Sequence, residues 1–130
     1  MPSSTHTRMT DSLGNPVTLQ DATSATALND FVEGFIACEA RAVNVLNAAA
    51  DTSPIVQASC AALHMFAESA DAPRNARPFI DQALARVGAS RADVVAAASI
   101  NLKADEAGLL EIAAGAGWAL HFHSPQTLAA

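Results

Sequence analysis

The stretch Ala42-Val43-Asn44-Val45-Leu46-Asn47-Ala48-Ala49-Ala50-Asp51-Thr52-Ser53-Pro54 is answered 34 residues later by Ala76-Arg77-Pro78-Phe79-Ile80-Asp81-Gln82-Ala83-Leu84-Ala85-Arg86-Val87-Gly88. Ala42, Leu46, Ala49 and Pro54 correspond, position for position, to Ala76, Ile80, Ala83 and Gly88. A small residue lets a neighbouring helix approach, a large one fills the groove, and Pro or Gly ends the helix. A period of this length is that of a stacked helix pair, so the pattern predicts an all-helical repeat. The segment between the two stretches adds a stripe, Val56, Cys60, Leu63 and Ala67, which repeats at helical spacing and would face one neighbour.

Composition points the same way. The chain has 130 residues, enough for one core, and Ala supplies about a quarter of them. Charged residues are only 15%, and there are five Phe, one Trp and no Tyr. Short side chains suit close-packed helices, whereas strands favour the β-branched and aromatic types that are few here. A net charge of -6 with seven scattered Lys and Arg offers no concentrated basic patch. Neither nucleic acid nor an anionic membrane is therefore expected as a partner. Met1 to Asp11 is polar and lacks the apolar core of a signal peptide, and the longest mostly apolar run, Leu109 to Phe122, is too short to span a bilayer. A cytoplasmic location is expected. Cys38 and Cys60 are isolated, without metal-like spacing, and read as buried reduced thiols.

Along the chain, 1–23 reads as an extended leader with a turn at Gly14-Asn15-Pro16, 24–120 as a helical domain and 121–130 as a flexible tail. Ser24 is placed to cap a first helix reaching Ala37 or Glu39, with Leu28, Phe31 and Phe35 inward. A second, Arg41 to Ala50, would bury Val43 and Leu46, and a third would start at Ser53-Pro54 and run to about Glu68. After a loop, Ser69 to Arg74, a fourth is expected from Arg77 to Val87, closed by Gly88. A fifth would occupy Ser90 to Ser99 and a sixth Ala104 to Leu120, with Asp105 and Glu106 in its first turn.

Asp11-Ser12-Leu13-Gly14-Asn15-Pro16-Val17, Asn29-Asp30-Phe31-Val32-Glu33-Gly34-Phe35, the Arg41–Ala50 segment, Ala61-Ala62-Leu63-His64-Met65-Phe66 and Trp118 together resemble tetratricopeptide repeat protein 38-like proteins. The resemblance implies a helical repeat protein whose role is interaction, with no catalytic residues to carry over. Members of that family are several times longer, so it also implies that this chain corresponds to their N-terminal portion, a truncated piece of a longer repeat protein.

No residue cluster dictates a reaction, cofactor or metal site. His121 and His123 form a His-x-His pair without a third ligand close in sequence, and His64 lacks a nucleophile and an orienting carboxylate. Asp30 with Glu33, and Asp105, Glu106 and Glu111, read as solvated helix faces. The expectation is thus an all-α fold of five to six helices in antiparallel pairs, stacked as a short tetratricopeptide-like α-solenoid. It would serve as a protein–protein interaction module, not as an enzyme, presenting Asn29, Glu33, Gln57 and His64 to a protein or peptide partner. The alternative is a self-associating helical domain that buries Ile112, Trp118 and Leu120 against a second copy.

Overall fold

The computed structural model describes residues 6–130 and divides them into two compact units meeting at 89/90. In the first, Thr7–Thr10 (β1) and Pro16–Leu19 (β2) form an antiparallel hairpin with Thr7 opposite Leu19. Asp11 closes its loop: one carboxylate oxygen accepts the backbone N–H groups of Leu13 and Asn15 at 3.0 and 2.8 Å, and Gly14 supplies a φ of 85°. Three helices follow: Ser24–Ala37 (α1), Pro54–Phe66 (α2) and Ala72–Arg86 (α3). The core gathers Val17 and Leu19 from β2, Leu28 from α1, Val45 and Ala48, and Val56 and Cys60 from α2. Part of the expected leader is therefore paired strand, and residues 1–5 of it lie outside the described residues.

The expected helix over Arg41–Ala50 is a nine-residue 3₁₀ segment, Ala40–Ala48. Such segments have three residues per turn. Ala42, Val45 and Ala48 consequently stack on one face and are buried, while Val43 and Leu46, expected inside, are 53% and 37% exposed. Ala42 and its repeat partner Ala76 are both buried, and Leu46 and Ile80 are 37% and 38% exposed, yet the first stretch is a 3₁₀ segment and the second is the α-helix α3. Matching letters at a 34-residue spacing therefore do not mark matching α-helices, and the expected repeat of helix pairs is not formed. The start of α3 also moves upstream of Arg77, taking in half of the expected loop. Cys38, read as buried, caps the exposed end of α1 in the left-handed conformation at φ 56°. Cys60 is buried, its thiol bonds the Val45 carbonyl at 3.6 Å, and burial pushes its pKa up to about 11.

The second unit overturns the all-α expectation. Ala96–Ile100 (β3) and Ala119–His123 (β4) lie side by side, parallel, joined through Ala107–Ala116 (α4); Pro125–Ala129 (α5) follows. The register sets Ala96 against Ala119, Ala98 against His121 and Ile100 against His123. The expected fifth helix is thus only the turn Arg91–Asp93, fixed by a reciprocal Ser90–Asp93 capping box, followed by a strand. The expected sixth ends at Ala116 because Gly117 adopts φ 70°, and Trp118 N–H bonds the Ala113 carbonyl at 2.9 Å. What was read as helix end and flexible tail is a strand and a final short helix. Ala113 is the one residue of 90–130 that is buried.

Two contacts hold the first unit in its particular shape. Gly34 lies where the 3₁₀ segment crosses α1: a Cβ there would sit 2.8 Å from Ala42 N and 2.9 Å from Arg41 Cγ. Asp51, 4% exposed, binds the end of β2 to the start of α2 by accepting the N–H groups of Gln20 (3.3 Å), Asp21 (3.1 Å) and Ser53 (2.9 Å). Gln20 reciprocates, accepting from Thr52 N–H at 2.8 Å. Burial alone would raise the Asp51 pKa, but hydrogen bonds from Ser53, Ser24 and Asp21 outweigh it and hold the carboxyl below its ordinary value.

In an exposed helix Gly→Ala gains about 1 kcal/mol. Gly34→Ala is expected to lose about 1–3 kcal/mol instead, because backbone must move, and urea unfolding reads the sign. Asp51→Ala should cost more than about 2 kcal/mol at neutral pH by stranding buried N–H groups. Since the folded pKa is depressed, this stabilisation is complete above the ordinary value of 3.8 and disappears as pH falls through the lower folded value. Unfolding curves of the two proteins should therefore converge in strong acid.

Candidate functional site

Parallel strands joined by a crossover helix bring two carboxyl ends to the same edge of the unit. Ile100 leads into the 3₁₀ turn Asn101–Lys103 and then Ala104, Asp105 and Glu106 before α4; His123 leads into Ser124 and α5. The 101–103 turn packs against β4. One end of the unit thereby collects an amide (Asn101), an ammonium (Lys103), carboxylates (Asp105, Glu106), an imidazole (His123) and hydroxyls (Ser124, Thr127). Open α/β sheets bind ligands outside the carboxyl ends of their strands, where loops are free to vary while the strands hold them in place.

Local bonds join two pairs of these groups. Lys103 Nζ lies 3.0 Å from Glu106 Oε2, both side chains more than half exposed. Ser124 Oγ accepts the Thr127 N–H at 3.1 Å and caps α5. Glu106 stands at the N-cap of α4 but makes no side-chain cap bond, and a Cβ added at Gly108 would meet nothing within 4 Å, so the space over the first turn of α4 is open. Alternation along β4 puts His121 and His123 on one face, beside Ala98 and Ile100. Among the described residues no three His, Cys, Asp or Glu side chains gather to hold a metal ion.

The first unit has a polar cavity of about 520 Å³ lined by Thr7, Gln20, Asp21, Thr23, Asn47 and Asp51. Its two carboxylates are already committed. Asp51 accepts the backbone bonds described above, and Asp21 is held below its ordinary pKa first by the Thr23 backbone N–H and then by the Thr23 hydroxyl. A carboxylate kept ionised by saturated hydrogen bonding is a poor proton carrier. A shallower apolar hollow of about 370 Å³ is lined by Val43, Leu46, Leu63, His64, Phe66 and Ala67.

The four residues expected to form a partner face all fall in this first unit and have separate local duties. Asn29 Oδ1 accepts the Ser12 N–H at 2.9 Å. Glu33 accepts from Arg41 at 2.8 Å, and this bond, then that of Glu39, raises the guanidinium pKa further. Gln57 is 3% exposed and donates to the carbonyls of Ala49 and Asp51 at 2.9 and 2.7 Å. His64 stacks on Phe79 with ring centroids 5.5 Å apart. The groups at 101–127 were passed over as the ends of a helix and a tail. The available signal was the apolar run Val94-Val95-Ala96-Ala97-Ala98, continued after Ser99 by Ile100, which also fits a parallel strand.

Residues 67–130 match the model of the family described as cobalamin synthesis G C-terminus. The matched stretch is a little under half of the chain and takes in α3 and all of the second unit. No curated protein and no solved structure gives a significant match. The match replaces the resemblance to tetratricopeptide repeat protein 38-like proteins, and with it falls the interaction-module reading. The family concerns cobalamin synthesis, so the expectation of a non-enzyme is not sustained. No helix among the described residues is long and apolar enough to cross a membrane. The chain is similar, over 67–130, to the cobalamin synthesis G C-terminus family.

Proposed function

We propose that this protein acts in the synthesis of cobalamin, as an enzyme that handles a corrin-ring precursor at the carboxyl ends of β3 and β4. The observation that supports the reading is one of inclusion: the family match, 67–130, spans the whole β3–α4–β4–α5 unit, and one end of that unit collects an amide, an ammonium, an imidazole and hydroxyls. Such an end suits a flat macrocycle with polar side arms. Asn101 and the Ser124 hydroxyl offer hydrogen bonds, Lys103 offers charge, and His123 supplies the imidazole, the side-chain type best fitted to proton transfer near neutrality. The Asp51 cavity supports no competing reading, since its carboxylates already serve the fold.

Placement is testable with two glycines of α4. Outside the helix's own backbone, neither Gly108 nor Gly115 has an atom within 4 Å of an added Cβ, and neither has a positive φ, so a side chain can leave the helix at both. Gly108 opens the helix beside the proposed mouth, and Gly115 lies about two turns further on. Titration of the protein with cobyrinic acid, followed by the visible absorbance of the corrin, should show binding by the parent chain. Gly108→Phe should weaken it by about tenfold or more, and Gly115→Phe should leave it within about twofold, since tenfold corresponds to only about 1.4 kcal/mol of lost contact. Absence of any corrin binding, or equal effects of the two substitutions, would remove the proposal.

A further inference from the structure

We infer that Lys103 is the anion anchor of this end of the unit, taking a carboxylate side arm of the corrin ring and selecting acid-armed over amide-armed rings. The inference rests on the functional reading above. Lys103 is the only lysine in the chain. It stands in the turn that leaves β3, whereas Arg91, the other cationic residue of 90–130, stands in the turn that precedes β3. The carboxyl end of the unit thus has one permanent positive charge.

Its present engagement leaves it available. The bond to Glu106 at 3.0 Å joins two side chains that are 58% and 52% exposed, and exposed pairs of this kind contribute little to stability. Glu106 fixes the ammonium beside the opening of α4 while using one of its three donors, and among the described residues no other acceptor holds it. The charges around it make Lys103 decisive for an acidic ligand. Asp105 and Glu106 follow it within three residues, so loss of the ammonium leaves two carboxylates unopposed at the mouth. A carboxylate arm would then meet repulsion in place of a charge-assisted hydrogen bond. An amide arm carries no charge and would register the change only weakly.

The test uses the full chain and two probes, cobyrinic acid with carboxylate arms and cobinamide with amide arms, each titrated into the parent protein, Lys103→Gln and Lys103→Arg. Lys103→Gln should weaken cobyrinic acid binding by about tenfold or more, the usual scale for losing a hydrogen bond to a charged group, and leave cobinamide binding within about twofold. Lys103→Arg, which keeps the charge, should retain most of the preference. Circular dichroism of the variants should match the parent, as expected for an exposed side chain. If Lys103→Gln binds both rings as the parent does, or loses both equally, the anchor is overturned while corrin binding stands. If the parent binds neither ring, the functional reading fails and the anchor fails with it.

Discussion

The parallel pairing of Ala96–Ile100 with Ala119–His123 is the constraint on which the functional half of this molecule depends. Two parallel strands cannot be joined by a tight turn; the chain must return to the starting edge, and a helix is the usual means. Ala107–Ala116 makes that return, Gly117 stops it in the left-handed conformation, and β4 begins two residues later. The consequence is chemical. Pairing Ile100 with His123 forces the turn after β3 and the turn after β4 to the same end, so residues far apart in sequence, from Asn101 to Thr127, share one edge.

The first unit answers to a different constraint, the winding of Ala40–Ala48. Three residues per turn place Ala42, Val45 and Ala48 in line, and the absence of a side chain at Gly34 lets that line cross α1 closely. Asp51 then ties the hairpin to the start of α2 through buried hydrogen bonds. These groups are occupied with holding the fold, which is why the polar cavity beside Asp51 offers surface but little free chemistry.

Helices with clear stops were legible in the sequence. Ser24 to Ala37 and Pro54 onward appear where the apolar spacing and Ser53-Pro54 placed them, and the Gly14-Asn15-Pro16 turn is the loop of a hairpin. Alanine misled elsewhere. Its high helix propensity made Ala96-Ala97-Ala98 and Ala119-Leu120 look helical, yet intrinsic preference is weak beside the pairing of two strands through their whole length. Alanine also manufactured the 34-residue repeat, because a small residue recurs at almost any spacing in such a chain, and only the winding separates Ala42 and Leu46, at three residues per turn, from Ala76 and Ile80 in α3. The site was invisible for the same reason: Lys103 and His123 lie together only once both flanking segments are strands.

The most direct measurement is the backbone ¹³C chemical shifts of residues 90–124 in the full chain, with nuclear Overhauser contacts between 96–100 and 119–123. The account predicts strand shifts over both segments, helical shifts confined between them to 107–116, and contacts linking Ala98 to His121 and Ile100 to His123. Continuous helical shifts through 90–99 or through 104–120, without those contacts, would contradict the parallel unit and remove the site built on it.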